Sequence, residues 1–128
     1  STIKVFDNWQ KERLITVFQP HRFTMTKYLA EEFGRSFADS NLVIITEIYA
    51  AGEKPIPGVS ADLIIQALKK NGHSNCLFVP RQELMSMLLD IVKKGDILLM
   101  LGAGDIGRFS TEFSEVLRKI KYHSDKLG

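Results

Sequence analysis

Residues 98–109 read LLMLGAGDIGRF. An apolar run breaks into glycines and then into a helical pattern, so the stretch predicts strand, tight turn and helix in direct succession. Gly102, Gly104 and Gly107 also spell G-x-G-x-x-G, the dinucleotide-binding fingerprint taken literally. A literal site needs more than glycines. An acidic residue on a following strand, about twenty positions on, must bind the ribose. That position falls at 122–126, where Asp125 lies in no strand pattern. The fingerprint belongs to a first strand–helix unit, and here it stands in the last. Asp105 would also meet a pyrophosphate with the wrong charge. Three readings stay open: a nicotinamide or flavin site, a tight turn feeding a helix, or a glycine-rich loop on a shared active-site rim.

The same pattern recurs upstream. Short apolar runs at 14–18, 42–46, 76–79 and 97–101 are rich in Ile, Val, Leu and Phe without alternation, as expected of strands covered on both faces. Helical stripes lie between them. Leu29, Phe33 and Phe37 form one, and Ile64, Ala67 and Leu68 the next. Leu84, Met85, Leu88, Leu89 and Val92 follow, then Phe109, Phe113, Val116, Leu117 and Ile120. Ser60 reads as an N-cap, and Gly72 and Gly95 as helix stops. Residues 2–9, with Ile3, Val5, Phe6 and Trp9 apolar, read as the end of a helix. The expectation is a helix, then strand and helix four times over: one α/β domain with a mainly parallel sheet.

Composition narrows the function classes. The 128 residues suit one domain with a real core, and 45% hydrophobic and 25% charged residues are ordinary for a soluble globular protein. A formal charge of +2, spread thinly apart from Lys119, Lys121 and Lys126, argues against a nucleic-acid stripe. The apolar runs are too short to span a membrane. No charged segment followed by an apolar run opens the sequence, so the expected setting is the cytoplasm. The single cysteine, Cys76, lies in an apolar run and reads as a buried small side chain. There is no G-x-x-x-x-G-K-[ST], H-E-x-x-H, C-x-x-C or G-x-S-x-G, and no metal site is expected.

In open α/β sheets ligands bind beyond the carboxyl ends of the strands. The segments there are Gln19-Pro20-His21-Arg22, the long loop 47–58, Pro80-Arg81 and 102–107. If the sheet is parallel, all four converge on one rim. His21 and Arg22, at the start of a helix, form a candidate anion site: arginine grips carboxylate or phosphate bidentately, and the helix terminus adds partial positive charge. The alternative is an arginine paired with Glu31 or Glu32, or solvated. Glu47 and Glu53 read as partners, magnesium-side carboxylates or loop charges. Tyr49 stacks or packs. His73 and His123 read as exposed.

Three rim motifs, VFQPHRFTMT at 17–26, EIYAAGEKPIPG at 47–58 and LGAGDIG at 101–107, together resemble the C-terminal domain of the Mur ligases. The resemblance runs from about Ile3 to Leu117, and Q-P-H-R favours the alanine-adding branch over the related murein peptide ligases. It implies a Rossmann-like three-layer sandwich that closes over the active site of a three-domain enzyme. The implied reaction is ATP-dependent amide formation between UDP-N-acetylmuramate and L-alanine through an acyl phosphate. ATP and magnesium would be held mainly by a central domain, and an N-terminal domain would hold the UDP-sugar. By the same resemblance His21 and Arg22 face the reacting carboxylates, while Glu47, Tyr49, Gly102, Gly104 and Asp105 line the interdomain cleft. The catalytic groups themselves are not identified. Two positions depart from the family: Phe23 replaces a tyrosine and Met25 an arginine. Lys27 is the nearest substitute cation, a point charge rather than a fork. The family segment D-D-Y-x-H-H-P is absent, so the chain reads as an excised domain that folds but does not catalyse alone. A free-standing NAD- or nucleotide-binding module and a non-catalytic interaction domain are the other classes.

Overall fold

A computed structural model describes residues 2–5 and 13–127. The elements in chain order are β1 (Thr2–Lys4), β2 (Arg13–Gln19), α1 (Phe23–Ser36), β3 (Leu42–Ile45), α2 (Asp62–Lys70), β4 (Cys76–Phe78), a 3-10 turn (Arg81–Glu83), α3 (Leu84–Ile91), β5 (Asp96–Gly102) and α4 (Asp105–Leu127). The strands form one sheet in the order β1-β5-β2-β3-β4. The β5–β2, β2–β3 and β3–β4 pairs are parallel. Each apolar run of the sequence became a strand, and four strand–helix units follow one another as expected.

The lack of alternation in those runs has a direct cause. Ile15, Val17, Ile44, Leu98 and Met100 point to one face, where Leu84 and Leu88 of α3 and Ile106, Phe109 and Phe113 of α4 cover them. Phe18, Val43 and Ile45 point to the other, under Ala30 of α1 and Ile64, Ile65 and Leu68 of α2. Both faces are therefore core, and the result is the three-layer sandwich. The residue flanking the start of α2 is Ala61 rather than Ser60, but the Ser60 Oγ still accepts the Asp62 N–H at 3.2 Å. Gly72 follows α2 with φ 85°, the left-handed stop that glycine allows. Gly95 does not end a helix, because α3 stops at Ile91; its φ of 94° turns the chain into β5.

The opening segment corrects the sequence reading. Residues 2–9 were expected to finish a helix, but Thr2–Lys4 is a strand antiparallel to β5, with Ile3 opposite Leu98. Ile3 and Val5 are both buried, two positions apart, which is the strand period rather than the helical one. Phe6 and Trp9 lie outside the described residues. Two smaller expectations also change. His73 is half-buried rather than exposed, its Nε2 lying 2.7 Å from the Ser40 carbonyl, which must accept from an Nε2–H. Cys76 is half-buried on the edge strand, and burial pushes its thiol pKa up, away from nucleophilic use.

At the amino ends of β2 and β5, Arg13 grips Asp96 with Nε to Oδ1 at 3.0 Å and Nη2 to Oδ2 at 2.6 Å. The Lys93 N–H adds a third bond to that carboxylate at 2.7 Å. Asp96 is buried, so this charge needs all three. The bond to Asp96 raises the Arg13 pKa. With the amino ends fixed, the carboxyl ends of the same two strands are free to build a site.

Candidate functional site

The sheet order places β5 and β2 side by side although they are distant in sequence. From β2 the chain turns to α1 on one face, and from β5 to α4 on the other. This is a topological switch point, where open α/β sheets leave a crevice. A cleft of about 580 Å³ lies there, lined by Gln19 at the end of β2, by Glu47 and Tyr49 of the loop after β3, by Arg81, and by Asp105 and Arg108 of α4, while His21, Arg22, Gly102 and Gly104 are not among its lining residues. The convergence expected of a parallel sheet is observed.

The cleft floor is built by the last ladder pair, Gln19 opposite Gly102. Gln19 is buried and its Oε1 accepts the Ile106 N–H at 3.0 Å, satisfying one free donor at the start of α4. Gly102 has φ 134°, and a Cβ there would stand 2.6 Å from the Gln19 carbonyl oxygen. Only glycine lets β5 run this close to β2 while turning toward α4.

Tyr49 joins the other loops. Its N–H donates to the Pro20 carbonyl at 2.8 Å, and its carbonyl accepts the Arg22 N–H at 2.8 Å. These bonds carry the parallel β2–β3 pairing outward as a His21–Tyr49 bridge. The His21 ring stacks on the Tyr49 ring, with centroids 5.8 Å apart and planes 12° from parallel. Gly104 also packs on that ring: a Cβ at this φ of 89° would fall 2.6 Å from Tyr49 Cγ. The fingerprint glycines are thereby explained. The second glycine of a dinucleotide site leaves room for a pyrophosphate, and the third packs helix on strand. Here Tyr49 covers the second, and a Cβ on Gly107 would meet nothing within 4 Å. The motif is spelled but serves a different packing.

Arg22 precedes α1 with φ 69° and ψ 146°, close to a backbone region nearly reserved for glycine. Its side chain is exposed. The amino end of α1 was expected to be open to an anion from outside. Instead the Glu53 carboxylate fills it, accepting Phe23 N–H at 2.6 Å, Thr24 N–H at 3.2 Å and the Thr24 hydroxyl at 2.6 Å. The Thr24 hydroxyl bond holds the Glu53 pKa below its usual value against the opposing effect of burial, with lesser help from the two N–H bonds and the charge of Arg22.

Charges of both signs line the cleft. Glu47 Oε1 accepts the Arg81 N–H at 2.6 Å, fixing the start of the 3-10 turn. The Arg81 guanidinium lies over the Phe109 ring, 4.6 Å from its centroid, a cation–π contact that sets its plane. Its buried Nε has no hydrogen-bond partner among the described residues. Asp105 opens α4, and Arg108 is three residues on, on the same side of the helix. Lys27 is exposed on α1, its ammonium 5.9 Å from the Tyr28 ring centroid, and is not among the cleft's lining residues. Met25 is 44% exposed rather than packed.

Gln19, Arg81 and Arg108 are the site residues that sequence reasoning left without a role, and Glu53 was read only as a partner, a magnesium-side carboxylate or a loop charge. Arg81 and Glu53 stand in the loops that it marked for inspection. Arg108 was detectable from its spacing to Asp105. Gln19 stood in the Q-P-H-R motif, but nothing in the sequence showed that its side chain would reach the start of α4.

Comparison with known proteins agrees with the geometry. Residues 1–104 match the family model described as "Mur ligase, glutamate ligase domain". Over its full length the chain is 42% identical to a protein of Pelotomaculum thermopropionicum, covering 27% of that protein. It is 46% identical to a protein of Geotalea daltonii over 87% of this chain and 24% of that one. A Brachyspira hyodysenteriae protein is 42% identical over 86% of this chain and 24% of its own length. All three are named UDP-N-acetylmuramate–L-alanine ligase. The chain spans about a quarter of the length of these relatives. No described helix is long and apolar enough to cross a membrane. With its three layers, its switch-point rim and most of its residues matched, the chain belongs to the family of Mur ligase C-terminal, or glutamate ligase, domains.

Proposed function

We propose that this chain is the C-terminal domain of a cytoplasmic, ATP-dependent ligase that joins UDP-N-acetylmuramate to L-alanine in peptidoglycan precursor synthesis. The mixed-charge cleft at the carboxyl ends of the strands carries the reading, and the names of the relatives support its substrates. A zwitterionic amino acid needs cations for its carboxylate and acceptors for its ammonium. In the cleft Arg81 and Arg108 supply the first, and Glu47 and Asp105 the second. His21 and Arg22 are assigned to the reacting carboxylates, with Lys27 on α1 as an additional cation. Tyr49, Gly102 and Gly104 hold these loops at fixed distances. When the domain closes over the others, the rim excludes water from a reactive acyl group and orients the amine.

MgATP supplies the phosphoryl group that activates the carboxylate. Its grip is assigned to the central domain of such a ligase, since the P-loop motif is not in this sequence. The test is phosphate release from MgATP by the protein encoded by the whole reading frame, compared with the 128-residue chain. Release should require both UDP-N-acetylmuramate and L-alanine, and the chain alone should be inactive. Release indifferent to L-alanine, or turnover by the chain alone, would refute the proposal.

A further inference from the structure

Glu53 belongs to the loop after β3, and its N–H donates to the Ala50 carbonyl there at 3.0 Å, yet its carboxylate bonds to the first turn of α1. Immediately before that turn is Arg22, in a conformation that an arginine does not hold without help. Three restraints act on it. Its N–H is bound by the Tyr49 carbonyl at 2.8 Å. Its carbonyl accepts the Thr26 hydroxyl at 2.8 Å. The residues that follow it are held by Glu53. The first and third both come from the loop 47–58, so this one loop fixes Arg22 from both sides.

We propose that Glu53 is a positioning residue: by capping α1 with its carboxylate it holds Arg22 in its strained conformation and aims the guanidinium at the acidic substrate. Glu53 itself touches no substrate. The carboxylate occupies the helix terminus in this structure, so recognition of an incoming anion falls to the Arg22 side chain rather than to the helix. This rests on the function proposed above for its substrate, but not for its geometry.

The chemistry of the cap decides the variants. Glu53→Gln keeps a carbonyl oxygen for the Phe23 and Thr24 N–H groups, and its NH₂ meets the Thr24 hydroxyl, which can turn to accept it, so the cap loses its charge and its strong charge-assisted bonds without a change of size. Thr24→Ala removes the hydroxyl together with its exposed methyl, leaves both N–H bonds to the carboxylate, and serves as a second, milder variant. In the 128-residue chain, the Phe23 and Thr24 amide resonances should follow one acid titration, and Glu53→Gln should abolish it and shift Arg22. In the whole ligase, Arg22→Ala identifies the acidic substrate whose KM depends on Arg22. Glu53→Gln should raise that same KM by about tenfold with kcat changed far less. Thr24→Ala should raise it by a smaller factor. In an Arg22→Ala background, Glu53→Gln should add nothing, since it acts through the arginine.

Equal effects of Glu53→Gln with and without Arg22 would overturn the proposal, as would an unchanged KM. So would amides of Phe23 and Thr24 that do not titrate together, or an acidic substrate that displaces Glu53 from them. If the whole protein shows no alanine-dependent turnover, the proposed function fails, while the amide experiment still decides whether Glu53 holds Arg22.

Discussion

Arg22 sits at φ 69° and ψ 146°, a conformation that costs a non-glycine residue about 1–3 kcal/mol. The protein sustains it with the Tyr49 and Thr26 bonds and with the Glu53 cap. The cap makes an acid-side prediction. The Glu53 pKa is lowered in the folded state, so the group stabilises the fold fully above its unfolded pKa of about 4.3 and loses that contribution as pH falls through the folded value. Wild type should therefore melt above Glu53→Gln at neutral pH, with the gap closing as the pH drops from about 5 toward 3. Thermal melts of both proteins across that range check it, and a constant gap would contradict it. His21 and Arg22 were legible as candidate residues because they follow a strand and open a helix. The carboxylate that meets that helix was not, since Glu53 is separated from it by the whole of β3.

Among the elements, β2–β5 and all four helices could be read from apolar runs and stripes. The exception was β1, where apolar residues too few to separate two periods suggested a helix. Pairing with β5 decided the matter. The contact between α1 and α2 was also invisible. Gly34 lies buried in α1, and a Cβ there would stand 2.6 Å from Ala67 Cβ and 2.7 Å from its carbonyl carbon. Gly34→Ala should gain about 1 kcal/mol of helix propensity but lose more to overpacking, which costs about 1–3 kcal/mol. Backbone atoms of Ala67 cannot rotate out of the way, so the loss should win. We expect a melting temperature lower by about 3–8 °C. A calorimetric scan showing an equal or higher value would mean that the two helices separate at little cost.

For the molecule as a whole, function depends on strand order. The arrangement β5-β2-β3-β4 puts the last strand of the chain beside the second, and this adjacency makes the crevice. It also accounts for the glycine motif: in the last strand–helix unit, Gly104 meets Tyr49 from the loop after β3 rather than a pyrophosphate. NAD at millimolar concentration should accordingly leave the amide resonances of residues 102–107 in place. A saturable shift confined to those residues would restore the dinucleotide reading.

The α/β class, the four strand–helix units and the rim loops follow from periodicity and turn residues, which are local properties written within a few positions of one another. The motifs on those loops were enough to point to the Mur ligases. Long-range encounters supplied the rest: Glu53 on the first turn of α1, Gln19 at the start of α4, Arg81 over Phe109, and Tyr49 between His21 and Gly104. Each joins segments whose separation along the chain says nothing about their distance in space. Sheet order and helix packing bring them together, and neither is encoded in the pattern of any single element.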